Sequence, residues 1–206
     1  MLQLSAVKKS VNPFNKAQTA GAYSVQALTN LSYFIVDSLL GLYIALLIIR
    51  ILLAWVKADF YNPIAQFVIK ATNPVVNPMH RVIPAWGRID SGTWLLIFGF
   101  SLLHLYLILT LRDVSFNIIQ IIPLAAISMA EKLITILLYA VMIRAVMSWF
   151  ANPYSNNNPM LSILDSLTQP MLSLARRYIP AVGAIDLSAM AVIFVLYCAS
   201  IILRSI

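Results

Sequence analysis

Two arginines and two aspartates are the charged residues whose positions suggest chemistry within this chain. Arg50 and Arg144 lie inside apolar sequence. Asp90 and Asp186 each stand just before a later apolar stretch. If this apolar sequence crosses a membrane, an arginine in the middle of the bilayer costs roughly 2.5 to 3.5 kcal/mol. Such an arginine needs a carboxylate partner or a route to water. We therefore predict two charge pairs, Arg50 with Asp90 and Arg144 with Asp186, which could clamp the structure or, alternatively, belong to an ion or substrate site.

The other polar residues in apolar sequence give weaker signals. His104 and Ser200 occupy equivalent positions of two similar segments, which favours a polar patch or a hydrogen bond between helices. A proton relay through His104 is the alternative, although the sequence shows no second titratable group beside it. The two histidines and the single Cys198 lack the spacing of metal ligands, and neither a Ser-His-Asp order nor a glycine-rich phosphate loop occurs. We therefore predict no catalytic, cofactor-binding or metal site, and no enzyme activity.

These residues recur because the chain contains a duplicated module. Residues 81–90 read RVIPAWGRID and residues 177–186 read RYIPAVGAID, a spacing of 96. Further upstream, before a two-residue insertion, the spacing of 94 matches Asp37 with Glu131, Arg50 with Arg144 and Trp55 with Trp149. Self-similarity at a fixed spacing indicates an internal repeat.

The module consists mostly of apolar sequence. Of the 206 residues, 61% are hydrophobic and 10% are charged, whereas soluble domains average about 25% charged residues. Four stretches approach the ~20 apolar residues that cross a bilayer as a helix. They cover about 31–56, 93–111, 118–150 and 188–203. We predict an all-α integral membrane protein with four transmembrane helices, the first retained because polar sequence separates it from the N-terminal lysines.

Between its two membrane helices, each module has a connector whose sequence predicts two short amphipathic helices. Asn62-Pro63 and Asn158-Pro159 each place a capping residue before a proline at the first helical position. Thr72-Asn73-Pro74 and Thr168-Gln169-Pro170 should then interrupt the helix, because a residue before proline avoids helical backbone angles.

The second short helix of each connector is predicted to end at a proline, followed by a glycine turn and an aspartate cap. The prolines and glycines are Pro84, Gly87, Pro180 and Gly183, and the caps are Asp90 and Asp186. We expect these helices to lie at the lipid headgroups, with basic residues towards anionic lipid. These basic residues are Lys70, Arg81, Arg176 and Arg177. Ordinary amphipathic helices in water are the alternative.

The two modules are expected to form parallel hairpins, because each crosses the membrane twice. The predicted units are a polar N-terminal segment at 1–30, a first repeat at 31–111 and a second repeat at 112–206. An approximate two-fold axis along the membrane normal would relate the repeats. Both chain termini then share a side with the 112–117 loop, and the distribution of Lys and Arg leans towards cytoplasmic connectors.

Taken together, these motifs resemble those of the YggT family of integral membrane proteins, also called YlmG-like. The resemblance rests on 50–55 and 144–149, the Asn-Pro pairs at 62–63, 152–153 and 158–159, the Thr-x-Pro motifs at 72–74 and 168–170, and the two IPxxGxID strings. The first repeat departs from the commoner Trp-x-x-Asn-Pro by reading WVKAD at 55–59. The resemblance implies a bacterial inner-membrane or plastid-membrane protein, loosely associated with osmotic or ionic stress tolerance and, in relatives, with cell division and assembly of membrane complexes.

Charge and composition leave two classes of function open. The net charge of +7 could suit nucleic acid in a soluble protein, but here the bases flank apolar spans and are expected to anchor and orient them. The first hypothesis is a membrane scaffold or assembly factor that holds a membrane-protein partner or anionic lipid. The second is an ion or osmolyte pathway that acts as a homo-oligomer, with Arg50, Arg144 and His104 at its core.

Overall fold

The computed structural model describes residues 13–83, 90–150, 158–179 and 186–205. Within these ranges the chain forms six α-helices and no strand, which confirms the all-α prediction. The helices are α1 (Pro13–Trp55), α2 (Pro63–Val82), α3 (Ser91–Leu111), α4 (Ile118–Phe150), α5 (Pro159–Tyr178) and α6 (Leu187–Arg204).

Four of these helices contain segments long and apolar enough to cross a membrane, as predicted. The segments are Val25–Trp55, Ser91–Leu111, Ile119–Ser148 and Leu187–Arg204. Helix α1 has 43 residues and, at about 1.5 Å per residue, is roughly twice as long as the hydrocarbon is thick. The predicted border between the polar segment 1–30 and the first repeat therefore falls within one continuous helix, which begins at Pro13.

The helix caps lie where the sequence places them. Asn62 Oδ1 accepts a hydrogen bond from Ile64 N at 2.9 Å, and Asn158 Oδ1 accepts one from Met160 N at 3.0 Å. Pro63 and Pro159 each occupy the first turn of the helix that follows. The membrane helices α3 and α6 begin after the caps Asp90 and Asp186. Local rules for helix starts thus define four of the six helices.

The connectors differ from the prediction, because each contains one continuous helix instead of two short ones. Helix α2 includes Pro74 and Pro78, and α5 includes Pro170. An internal proline removes a backbone hydrogen bond and costs about 3 kcal/mol. In α2, Thr72 Oγ1 donates to Val68 O at 2.7 Å, a side-chain bond back to the carbonyl four residues earlier. The predicted end and turn residues Pro84, Gly87, Pro180 and Gly183 lie outside the described residues.

One face of each connector helix packs into the core. In α2 this face carries Ala65, Val68, Thr72 and Val76, a spacing of three or four residues typical of an amphipathic helix. Together with Leu47 of α1 and Ile97 of α3, Val76 is fully buried in the main hydrophobic cluster. The core of the first repeat thus lies where the two membrane helices meet their connector.

Helix contacts match within the two repeats and differ between them. The contacts α1–α2, α1–α3 and α2–α3 have counterparts in α4–α5, α4–α6 and α5–α6. The α3–α4 contact has no counterpart, because α6 does not come within packing distance of α1 in the described residues. The predicted two-fold relation is therefore incomplete. The physical reason is that the short 112–117 connection holds α3 beside α4, whereas no such link joins α6 to α1.

Candidate functional site

Arg50 binds the middle of the first connector helix. One of its guanidinium nitrogens donates to Thr72 Oγ1 and to Asn73 Oδ1, both at 2.8 Å, and lies 3.4 Å from Ile69 O. Thr72 is completely buried. Because all three acceptors are uncharged, the first repeat solvates its membrane arginine with neutral polar groups of α2.

Arg144 binds the equivalent part of the second connector helix. Its Nε donates to Asp165 Oδ1 at 2.5 Å, forming an ion pair between α4 and α5. At the repeat spacing of 96, Asp165 corresponds to Ile69, whose carbonyl oxygen faces Arg50. Thr168 matches Thr72 in burial and in donating its hydroxyl to the carbonyl four residues earlier. The two repeats thus hold their arginines at the same place with different chemistry.

The aspartate caps are held by the last turn of the connector helices. His80 Nε2 lies 2.7 Å from Asp90 Oδ1, and Arg176 donates to Asp186 Oδ2 at 2.6 Å. His80 and Arg176 are repeat equivalents, 96 residues apart. Asp90 also accepts hydrogen bonds from the backbone and hydroxyl of Thr93. Each connector helix is therefore fastened to both membrane helices of its own repeat.

This arrangement corrects the predicted pairs. No salt bridge joins Arg50 to Asp90 or Arg144 to Asp186 among the described residues; each of the four has a different partner. Asp90 still attracts Arg50 electrostatically over a longer distance. The reason is the continuous connector helix, which lies against both spans and brings its own polar groups nearer to each charge than the charges are to each other.

Both caps are favoured in their charged form. Burial alone would raise the pKa of Asp186, but hydrogen bonds from Ser188 and from Arg176 lower it to about 2. Burial likewise opposes ionisation of Asp90, and hydrogen bonds from Thr93 and His80 hold its pKa below the usual value. Because both carboxylates remain charged at neutral pH, they suit the positive N-terminal ends of α3 and α6.

A second set of charged residues lies between the membrane helices. His104 Nε2 is 3.0 Å from Asp37 Oδ1, across the α1–α3 contact. Lys132 of α4 reaches the same region, with its Nζ placed 3.8 Å from where a Cβ on Gly41 would lie. His104 shows no titratable neighbour in the sequence, and that interpretation was wrong. Asp37 is the neighbour, because the chain between these two residues, 67 positions apart, returns to the same depth.

The second repeat has a related but different pair. Glu131 Oε1 accepts a hydrogen bond from Arg204 at 2.6 Å, joining α4 to α6. Ser200, the equivalent of His104, is buried. In the first repeat, the Tyr43 hydroxyl and the Ser101 hydroxyl are buried with no hydrogen-bond partner among the described residues. The first repeat therefore has the more polar interior between its membrane helices.

A direct hydrogen bond joins the connectors of the two repeats. Asn62 Nδ2 donates to Pro159 O at 2.7 Å, while the same side chain caps α2. Asn62 is buried, whereas its counterpart Asn158 is exposed and, within the part of the chain that the structure describes, its side chain makes only the cap. The start of α2 is thus tied to the start of α5.

The predicted interfacial bases lie on exposed parts of the connector helices. Lys70, Arg81, Arg176 and Arg177 are all exposed. Arg176 differs from the other three because it holds Asp186. Trp55 ends α1 with an exposed side chain, and Trp149 lies in α4 with a side chain outside the described set. The described residues contain no group of three or more His, Cys, Asp or Glu side chains that could hold a metal.

Sequence reasoning missed most of these contacts, although some of them leave a signal in the sequence. Asp165 could have been found in the repeat alignment, because it is an acid inside a connector where the first repeat has the apolar Ile69. The positions of His80 and Arg176, each ten residues before a cap aspartate, form a second signal that the repeat alignment contains. The Asn62 bond to Pro159 O leaves no sequence signal, because its acceptor is a backbone carbonyl.

These features define a class: a four-span α-helical membrane protein built from two repeats, each with a connector helix fastened to its own membrane helices. The CCB3/YggT family model matches this chain twice, at residues 29–111 and 123–206. The chain belongs to that family, and the two matches confirm the predicted tandem repeats.

Similar proteins occur in several bacteria. An uncharacterised protein in the proC 3' region of Vibrio alginolyticus is 36% identical over 176 residues, which is 84% of this chain and 93% of that protein. The uncharacterised protein YggT of Escherichia coli K12 is 36% identical over 165 residues, 80% of this chain and 84% of the relative. An uncharacterised protein of Pseudomonas aeruginosa is 30% identical, over 78% of this chain and 82% of its own length. No solved structure matches this chain significantly.

Proposed function

We propose that this protein is a non-enzymatic scaffold or assembly factor of the bacterial inner membrane, and that its two connector helices form the surface that binds partners. The observation that supports this is the double attachment of each connector. One contact fixes its middle to Arg50 or Arg144, and a second fixes its last turn to Asp90 or Asp186. A helix held at two points presents a fixed outer face, which suits the binding of a partner.

The outer face of the connectors is basic and suits the lipid headgroups. Phe67, Lys70, Asn77 and Arg81 are exposed along α2, and Arg177 is exposed near the end of α5. Each base near an anionic surface contributes about 1 kcal/mol of attraction. In this proposal the connectors lie on the cytoplasmic side, and the bases bind anionic headgroups or an acidic membrane-protein partner. The family resemblance points to a role in osmotic or ionic stress tolerance or in cell division.

The test reverses charge on this face and leaves the contacts of the connector helices with the membrane helices in place. Lys70→Glu, Arg81→Glu and Arg177→Glu are combined, and Arg176 is left in place because it holds Asp186. We expect the triple variant to insert at wild-type abundance but to lose anionic lipid on purification and crosslinked partners in native membranes. The control is Lys70→Arg with Arg81→Lys and Arg177→Lys, which keeps the charge. Normal stress tolerance in cells that carry the charge-reversed protein would contradict the proposal.

An ion or osmolyte pathway is the second candidate, favoured by the polar groups between the membrane helices. Asp37, His104 and Lys132 lie together, and the hydroxyls of Tyr43 and Ser101 are buried without partners among the described residues. Charged residues inside membrane segments commonly mark such pathways. Purified protein in liposomes should then conduct, and His104→Leu or Arg50→Leu should stop the flux while the charge-reversed connectors only change its rate. Absence of flux from liposomes that contain folded protein would remove this candidate.

A further inference from the structure

One face of α6 is exposed although its repeat equivalent on α3 is covered. On α6 the exposed residues are Met190, Phe194, Tyr197 and Ile201, with between 50 and 68% of each accessible. Their equivalents 96 residues earlier are Trp94, Phe98, Ser101 and Leu105, all partly or fully buried. Both sets have the spacing of a single helical stripe. We call the α6 set the outgoing stripe.

A face of α1 shows the complementary difference. Ile35, Leu39 and Leu42 are exposed by 46 to 64%, and we call them the incoming stripe. Their equivalents 94 residues later on α4 are Met129, Leu133 and Ile136, which are partly buried and pack against the main hydrophobic cluster. The first membrane helix of each repeat thus carries the same apolar stripe, but only the copy on α4 is covered.

Within the chain, the two helices that carry the more buried copies of these stripes pack together. Helices α3 and α4 pack against each other, and Trp94 and Leu133 both pack against the main cluster and line one cavity. Among the described residues, the equivalent packing of α6 against α1 is not found within one molecule. One chain therefore contains both halves of a second interface of the same kind.

We propose that the outgoing stripe of one copy packs against the incoming stripe of a second copy, which repeats between molecules the α3–α4 contact found within each. The occupant is another copy of this chain because the template is the chain's own repeat interface. Such a contact is heterologous, with different surfaces on the two partners, so it extends into a ring or an open row of copies. The inference needs membrane insertion only and does not depend on the role of the connectors.

Disulfide crosslinking in native membranes tests this contact. Cys198 is first replaced by Ala, since it neighbours Tyr197 on α6. Two differently tagged chains are then co-expressed, one with Leu39→Cys and the other with Met190→Cys, Phe194→Cys or Tyr197→Cys in turn. The matched control is Val195→Cys, which is as exposed as the outgoing stripe but corresponds to Gly99, a position that is also exposed in the first repeat.

The proposal predicts a mixed-tag dimer for at least one stripe position, several-fold more abundant than for Val195→Cys. Each single-cysteine chain expressed alone should remain monomeric on a non-reducing gel, because a heterologous contact does not join identical positions. A chain that carries Leu39→Cys together with a cysteine in the outgoing stripe should give crosslinked species larger than a dimer. An open row of copies would give a ladder of sizes, and a closed ring would give one size. Dimers from Met190→Cys or Phe194→Cys alone would overturn the proposal in favour of a symmetric contact.

A second measurement does not depend on cysteine geometry. Energy transfer between labelled copies in dilute liposomes should exceed the random level and should fall several-fold with Phe194→Ala or Leu39→Ala, but not with Val195→Ala. Random transfer for the wild-type protein would mean that lipid alone covers both stripes, and the inference would be wrong. The charge-reversed connector variant should keep its energy transfer, so failure of the scaffold proposal and failure of this one give different results.

Discussion

The two repeats place contacts at the same positions and fill them with different chemistry. At the connector middle, the first repeat offers Arg50 neutral acceptors, whereas the second offers Arg144 the carboxylate of Asp165. At the connector end, His80 in one repeat and Arg176 in the other hold the cap aspartate. Both connector helices have 20 residues, so these contacts fall at equivalent positions although their chemistry differs. A repeat alignment therefore locates contacts better than it identifies the groups that make them.

The strongest test of this comparison removes the two arginines separately. Arg144→Ala leaves Asp165 without a partner in a half-buried position, so the free energy of unfolding should fall by about 2 kcal/mol, less than for a fully buried pair because solvent screens the carboxylate. Arg50→Ala removes hydrogen bonds to neutral acceptors and should cost about 1.5 kcal/mol. Steric trapping in one detergent measures the free energy of unfolding of both variants.

A charge exchange identifies the partner of Arg144. Arg144→Asp combined with Asp165→Arg should recover much of the stability that either single change loses. The same exchange with Asp186→Arg should recover little, because Asp186 pairs with Arg176. For the two alanine variants, a larger loss of unfolding free energy with Arg50→Ala than with Arg144→Ala would contradict the comparison. It would show that the chemical difference between the repeats does not determine their stability.

The two connector caps provide the next comparison. Asn62→Ala removes both the cap of α2 and the hydrogen bond to Pro159 O, so it should cost about 2 kcal/mol. Asn158→Ala removes a cap alone and should cost about 1 kcal/mol. The same unfolding measurement distinguishes them, and Asn62→Ser, which keeps a cap but shortens the reach to α5, should fall between. Equal losses for the two alanine variants would indicate that the bond between the connectors contributes nothing.

The charged pairs inside the membrane should differ by a smaller amount. His104→Leu leaves Asp37 without its partner on α3 and should lower stability by about 1 kcal/mol, as expected for one hydrogen bond between membrane helices. Arg204→Leu, at an exposed helix end, should change it by less than about 0.5 kcal/mol. The double variant His104→Leu with Asp37→Leu should regain the loss. If it does not, the contact between Asp37 and His104 is not the source of the effect.

The membrane helices and their caps could be predicted from the sequence because they depend on local composition. A run of apolar residues is long enough to cross a bilayer whatever lies elsewhere in the chain, and Asn62 before Pro63 starts a helix by hydrogen bonding to residues beside it. The two tandem repeats were also predictable, because ten-residue strings recur at one spacing.

The path of the connectors could not be predicted in this way. The rule for residues before proline is local, and at Pro74 and Pro170 the packing of a 20-residue helix against its neighbours outweighs it. The charge pairs were inferred from depth alone, which places Arg144 and Asp186 near one membrane surface but ignores Asp165 between them. Contacts such as His104 with Asp37 depend on how distant helices pack, which local sequence patterns do not show.

The smallest expected effect is a pH dependence that separates the two cap clamps. Hydrogen bonds from Ser188 and Arg176 lower the pKa of Asp186 from an ordinary 3.8 to about 2. A folded-state pKa below the unfolded value stabilises the protein above the unfolded pKa, and this stabilisation is lost as pH falls through about 4 to 2. Arg176→Gln removes the charge, and its shorter side chain also weakens the hydrogen bond to Asp186, so the acid loss should become smaller. Because the pair is half-exposed, solvent screening limits the difference to about 0.5 kcal/mol.

Unfolding between pH 7 and pH 2.5 measures this difference, with His80→Gln as the matching change in the first repeat. Since Arg176 is charged at every pH in this range, parallel curves for the wild-type protein and Arg176→Gln would show that the second clamp is not ionic, and the chemical distinction between the repeats at this position would disappear.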